Sequence, residues 1–501
     1  MEKGFFIRTA ALIFTLLMLL SAALAACGDA GTDDKPAENT ASDTAGDETA
    51  EVTTTEAVDE NIPAGLDFGG ETINFWYSTV SGSASETYYD MAGDQEGDIV
   101  DDAIYKRNIA VEKQLNLNLN LFNSKTGAGD NGTAVRKLIM SGSDEYDLFS
   151  GIQWNMMNHV SEGLFYNMID APYINIEEPW WATSYINNAN ILNNKRFALC
   201  GDYNINLIRC AGCMFFNKNL YESYFGDPTE MYQLALDGGW TFDKLIENAA
   251  VAYSDLNGDT KVDVNDQFGL LTYYGNNMDV LFYAGGGKAT EKDENGYPVI
   301  VSEDEINVLV MEKVYQLTYE SHGVFLNKND PFENNANFSA GKAVYLTGFL
   351  YSSEFLRDMK DDYGILPSPK LTEEQSRYYE LVHDIVELQF VPNTIQKLDA
   401  VSAVLELLAF EGHRTVMPAY YEIALKTKYA RDDISIQLVD LIHDSVMTDT
   451  AYIYMDDFSH LGYVGRGMIV SGKKDYVSFT ASNIKSAQKK LEKLIAAFEE
   501  L

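Results

Sequence analysis

Residues 71–77 read ETINFWY, and the alternation of apolar with polar side chains is the period-two pattern of a half-buried strand. Downstream, Ile99, Ala103, Ile104, Val111 and Leu115 recur at helical spacing. Residues 117–122 read as a strand again, 134–140 as a second helix and 146–151 as a third strand. Strand, helix, strand, helix, strand predicts a parallel sheet with crossover helices. Ligands of such sheets sit beyond the carboxyl ends of the strands. Trp76 and Tyr77 close the first strand, and Gln153 and Trp154 follow the third, so Trp76 and Trp154 become candidates for one binding rim.

Further along, Pro179, Trp180 and Trp181 form a paired aromatic plate, and 197–214 gives two extended runs. A helix over 240–252 starts at Thr241, a good N-cap, with Asp243 in the first turn where the helix dipole favours a carboxylate. Strands follow at 268–274, 343–348, 363–366 and 384–391, and helices at 303–319 and 398–410. The last helix carries Ile484, Leu491, Leu494, Ile495 and Phe498 on one face and lysines on the other. The folded part, from residue 67 onward, is about 435 residues long, too many for one core, which predicts two lobes.

The N-terminus fixes the compartment. Lys3 and Arg8 precede an apolar run over 10–20, which leads into Leu24, Ala25, Ala26 and Cys27. That is a secretory signal over 1–26, too short to span a membrane. Its end resembles a bacterial lipobox, which would make Cys27 a diacylated N-terminus at the outer face of the cytoplasmic membrane. Residues 28–60 have no aromatic side chain and no apolar periodicity, so the stretch 27–66 is expected to be a disordered tether. A formal net charge of −40 repels phosphate backbones and argues against nucleic acid as a partner. Aromatic residues make up 12% of the chain, and Tyr (31) outnumbers Phe (25), a balance that suits ligands with both polar edges and apolar faces, sugars above all.

Residues 255–266, DLNGDTKVDVND, carry oxygen side chains at positions 1, 3, 5, 9 and 12 of a twelve-residue loop. Asp255, Asn257, Asp259, Asp263 and Asp266, with the carbonyl of Lys261, are the donors expected of a structural calcium site of EF-hand or dockerin type. Two departures stand out: position 6 is Thr260 rather than glycine, and position 12 is Asp266 rather than glutamate. The alternative is an Asp/Asn-rich turn leaving the preceding helix. Cys200, Cys210 and Cys213 are odd in number; Cys210 and Cys213 have redox spacing but lie in an extended segment, so structural thiols are expected, with one disulfide through Cys200 left open. His383 beside Asp384 reads as a strand-end residue rather than a catalytic dyad.

Six segments then occur in a telling order: GDIVDDAIYKRNIAVEKQL (97–115), MFFNKNL (214–220), GWTFD (239–243), GKAVYLTG (341–348), YGILPSPK (363–370) and EGHRTVMPAYYEIALK (411–426). In these the chain resembles the extracellular solute-binding proteins of ABC importers, the maltose-binding-protein type, and within them a lipoprotein branch common in gut Firmicutes. The resemblance implies a two-lobed α/β fold of the type II periplasmic-binding-protein kind, with a sheet flanked by helices in each lobe and the ligand cleft between. Lobe 1 would be 67–212 plus 384–430 and lobe 2 213–383 plus 431–501, with the chain crossing near 213–217, near Asp384 and again after 398–430. It also implies that Phe349 and Tyr351, following Gly348, are cleft aromatics.

Rings that stack on sugar faces and amides or carboxylates that bond hydroxyls complete the expected site: Trp76, Trp154, Trp180, Trp181, Asn276, Asn277, Asp279, Phe349 and Tyr351. The function implied is that of a monomeric, lipid-anchored receptor that captures a carbohydrate by lobe closure, performs no chemistry on it and delivers it to an ABC permease. A receptor for peptides or another polar solute is the first rival, since fold does not fix function. A surface glycoside hydrolase is the second; it needs two carboxylates about 5 to 9.5 Å apart across a bond.

Overall fold

The first strand forms where the period-two pattern placed it. In the computed structural model, which describes residues 61–78, 91–95, 97–426 and 433–501, strand β1 runs Glu71–Tyr77 and buries Ile73 and Phe75. The signal segment, Cys27 and residues 28–60 lie outside the described residues. The helix Ile99–Leu115 begins where the Asp98 carboxylate accepts from the amides of Val100 and Asp101. It stops at Asn116, whose φ of 48° is left-handed, and the chain turns at once into β2 (Leu117–Asn123). Helix Asn131–Met140 leads to β3 (Leu148–Ile152). Next come β4 (Gly212–Asn217), β5 (Phe268–Tyr273), β6 (Val324–Asn327), β7 (Ala343–Phe349), β8 (Tyr363–Leu366) and β9 (Glu387–Phe390).

Two larger sheets result. The first has the order β9-β3-β1-β2. Its three early strands are parallel, with Glu71 opposite Leu117 and Phe75 opposite Leu148, as the βαβαβ pattern requires, and β9 joins antiparallel beside β3. The second has the order β8-β4-β7-β5-β6; β5, β6 and β7 are mutually parallel, β4 runs against them, and β8, antiparallel to β4, runs with them. Three segments pass between the sheets side by side. Glu380–Leu381 pairs in parallel with Val446–Met447, Val382 bridges Ala211, and the His383 amide donates to the Cys210 carbonyl at 2.8 Å. This is a two-lobed α/β architecture.

Several expected elements are redrawn by side-chain bonding that periodicity cannot see. The run 197–214 holds one strand, β4, not two. The side chains of Asn204 and Asn206 donate to the Glu387 carbonyl and carboxylate, and the chain there winds into the short helix Asn206–Arg209. The end of the expected tether is docked: Ile62 is buried in the lobe 1 core, and the Asn61 amide donates to Glu406 Oε1 at 3.1 Å. The final helix, Tyr476–Glu499, spans about 36 Å at 1.5 Å per residue, and Tyr476 packs in the lobe 2 core while Leu491, Leu494 and Phe498 pack in that of lobe 1. The stretch grouped with lobe 2 from sequence thus serves both. Cys200, Cys210 and Cys213 are all buried, and burial pushes the Cys213 thiol well up, out of the reactive range. No described helix is long and apolar enough to cross a membrane.

The aromatic plate is held by one carboxylate. The indole N–H of Trp180 donates to Glu406 Oε1 at 2.8 Å, and that of Trp181 donates to Oε2 at 2.9 Å, on a glutamate with no exposed surface. Glu406→Ala leaves both indoles without their acceptor, and we expect a loss of about 2 to 4 kcal/mol in urea unfolding. Glu406→Gln, which keeps one acceptor, should lose less. A loss below about 1 kcal/mol for the alanine variant would show that the indoles find other partners.

Candidate functional site

The carboxyl ends of β5, β6 and β7 point the same way, and the segments leaving these strands converge there. After β5 the helix Asn276–Ala284 begins; after β6 Asp330 caps the helix Pro331–Ser339 by accepting from the Phe332 amide; β7 ends at Phe349 and leads to Tyr351. Together they enclose about 20 Å³ of space, room for one water-sized group, lined by Asn276, Asn277, Phe332, Asn334, Phe349 and Tyr351 among others. Gly348 in this wall leaves little space for a side chain, since a Cβ would lie 3.0 Å from Ser352 Oγ and 3.2 Å from the Phe215 ring, tighter than ordinary contact. Phe349 and Tyr351 stack with centroids 5.4 Å apart, and the His383 ring of the crossing segment lies 4.9 Å from Phe349.

The polar atoms of this pocket are unusual. Asn276 Oδ1, Asn277 Nδ2 and Asn334 Nδ2 are buried and have no hydrogen-bond partner. Buried amide atoms are ordinarily paired, so three unpaired ones on residues around one small space point to a ligand that bonds them. Whichever way each amide is turned, the wall offers both donors and acceptors and no charge. Phe332 and Phe355, 40% and 47% exposed with centroids 5.3 Å apart, form an open aromatic pair; Phe332 belongs to the pocket wall.

The structure therefore brings together Asn276, Asn277, Phe349 and Tyr351 and places the other expected residues elsewhere. Trp76 is 2% exposed and turned into the lobe 1 core, 5.9 Å from Phe149. Trp180 and Trp181 are held on Glu406, and Trp181 also lines a separate 220 Å³ cavity with Tyr185, Asp202 and His443. Trp154 is half-buried on the short helix Gln153–Met156 beyond β3. Asp279 is fully buried: it accepts from the Arg466 amide and forms an ion pair with the Arg466 guanidinium. Phe332, Asn334 and His383 were not anticipated; Asp330 and Pro331, an N-cap and a first-turn proline straight after an apolar run, were the available signal.

The segments between the lobes carry the strongest electrostatics. Asp384 accepts from Tyr463 Oη at 2.6 Å, lies 2.8 Å from His383 Nδ1 and pairs with Arg466 at 3.4 Å. Burial pushes its carboxyl up, but His383, Arg466 and the Tyr463 hydroxyl overcome that and hold it well below the usual range. Burial wins at other carboxyls too, and most strongly at three. Asp279 is pushed up to about 6 against the pull of Arg466, Glu387 to about 7 against Asn206 and Arg209, and Glu380 to about 8 against the amide and hydroxyl of Ser368.

Two sheets, three segments passing between them and a pocket at the carboxyl ends of one set of strands make up the type II two-lobed fold of solute-binding proteins. Among solved structures, the galacto-N-biose-/lacto-N-biose I-binding protein of the ABC transporter from Bifidobacterium longum, in complex with lacto-N-biose, superposes with a TM-score of 0.56 at 12% identity, covering 85% of this chain and 98% of that one. A cyclo/maltodextrin-binding protein complexed with maltotetraose gives 0.55 at 10% identity over 84% and 97%. UgpB from Mycobacterium tuberculosis in complex with glycerophosphocholine gives 0.51 at 11% identity over 86% and 99%. At these identities the likeness is one of fold. No family model matches the chain, and no curated protein is similar to it in sequence.

The three raised carboxyls set a pH dependence. A carboxyl raised on folding adds stability that is whole below its unfolded pKa, about 4.3 for glutamate, and lost as pH rises through the folded value. Asp384, being depressed, loses its contribution only as pH falls below that of an unfolded aspartate, so it does not offset the others near neutrality. The melting temperature should fall between pH 5 and about 8.5, and the fall should be shallower in Glu380→Gln, which carries no proton to lose. Equal slopes in the two proteins would mean that Glu380 ionises freely.

Proposed function

We propose that this chain is a solute receptor of an ABC importer that captures a neutral carbohydrate of oligosaccharide size by lobe closure and passes it to a membrane permease. It would act as a monomer held at the outer face of the membrane by lipid on Cys27. The observation that carries this reading is the trio of unpaired amide atoms on Asn276, Asn277 and Asn334 in one uncharged pocket at the strand ends. A sugar hydroxyl donates and accepts at once, so a single group of that size can satisfy an orphan carbonyl oxygen and an orphan N–H together. Phosphate or carboxylate would call for opposed charge, which the wall of amides, hydroxyls and rings does not offer. The exposed pair Phe332 and Phe355 supplies apolar faces of the kind sugar rings stack on. Two of the three structures named above hold neutral sugars, which supports the same class.

No reaction on the ligand is needed, only tighter binding to the closed than to the open form. The test is a melting and calorimetric screen of the purified protein against mono- and oligosaccharides, with peptides alongside. A ligand at about 100 times its dissociation constant adds about 2.7 kcal/mol, a rise of very roughly 2 to 4 °C. Asn277→Ala and Asn334→Ala should each weaken the binding about tenfold, equivalent to ~1.4 kcal/mol. The glycan should be recovered uncut; cleavage would establish the hydrolase instead, and a response to peptides alone would overturn the carbohydrate.

A further inference from the structure

We infer that residues 255–266 bind one calcium ion through Asp255, Asn257, Asp259, the carbonyl of Lys261, Asp263 and Asp266, in a site separate from the ligand pocket. The loop joins the helix Phe242–Val251 to β5, so it lies at the opposite end of that strand from the pocket. Its donors are all oxygens, the set a hard cation takes, and their 1, 3, 5, 7, 9, 12 spacing is that of a calcium loop.

The backbone already follows the required path. Asp255 accepts from the amides of Gly258 and Thr260 at 2.7 and 2.9 Å, Asn257 from Asp259 at 3.0 Å, Asp259 from Lys261 at 2.8 Å and Asp263 from Asn265 at 2.8 Å. Thr260, in the place where glycine is usual, takes the left-handed turn itself with φ of 62°. That strain falls at the sharp turn of the loop.

One further observation points to an ion. Asp266 has no exposed surface; its Oδ2 accepts from Tyr253 Oη and the Asp263 amide, while Oδ1 is buried with no partner at all. A buried carboxylate oxygen left bare is costly unless a cation meets it. Among the described residues no three His, Cys, Asp or Glu side chains are gathered closely enough to hold a metal by themselves. Here an amide and a carbonyl are among the donors, and the like-charged carboxylates stand apart on loop amides; a divalent cation is what would draw them in.

With aspartate at the last position the affinity belongs at the weak end, a dissociation constant of about 10⁻⁵ to 10⁻³ M. The test uses the whole protein, calcium by calorimetry and terbium by luminescence excited through tyrosine. One calcium per chain is expected, with a melting temperature that falls in chelator. Asp259→Asn, at an exposed position that leaves the fold intact, should weaken binding by at least about tenfold and remove the response to chelator. Lys261→Ala, which keeps the carbonyl, should bind as the parent does. Tyr253→Phe should dim the terbium signal while leaving calcium binding in place. The site is overturned if the parent gives no calcium heat, if Asp259→Asn binds as tightly as the parent, or if terbium emission is indifferent to Tyr253.

Discussion

The lobes of this protein meet around one arginine. Arg466 lies between Asp279 of the helix Asn276–Ala284 and Asp384 of a crossing segment, with its guanidinium 4.1 Å over the Tyr463 ring. The charges are largely out of water, so each depends on the others, and removing one partner of such a set typically costs about 3 to 5 kcal/mol. The arrangement also fixes the pocket. Asn276 and Asn277 open the same helix that Arg466 grips through Asp279, and His383, next to Asp384, bears on both Asn276 and Phe349. The pocket wall and the hinge are thus one piece of structure.

Much of the fold was legible because periodicity is local. The strand over 71–77 and the helices Ile99–Leu115 and Phe242–Val251 follow from spacing and caps that a few residues carry by themselves. The site was legible only in part. Asn276, Asn277, Phe349 and Tyr351 do share a pocket, but the position of Trp76 near the end of a strand says nothing about which way its ring turns, and it turns into the core. The paired tryptophans gave a stronger signal and a worse guide. Their partner, Glu406, lies 225 residues or more along the chain, and no local pattern announces it. Asn334 went unseen because β6, the strand that delivers its helix, is only four residues long.

Strand β5 divides two kinds of polar chemistry. At its amino end the loop 255–266 carries carboxylates on a largely solvated surface, where charge is tolerable, with Asp266 alone buried. At its carboxyl end the polar groups are buried, and they are neutral amides, since an isolated charge in so small a space would be expensive.

The division of the cores along the chain bears on how the molecule is made. Lobe 1 takes its interior from Ile62, from 73–210, from 382–410, from 451–461 and from Leu491, Leu494 and Phe498, so its core is complete only when the helix Tyr476–Glu499 is in place. Phe197 meets Phe498 across about three hundred positions, at 5.9 Å. Contacts of such long range slow folding, because distant segments must find one another before either gains from the meeting. The lobe 1 core is therefore closed by the final helix, and the contact of Phe197 with Phe498 is a late step in forming it.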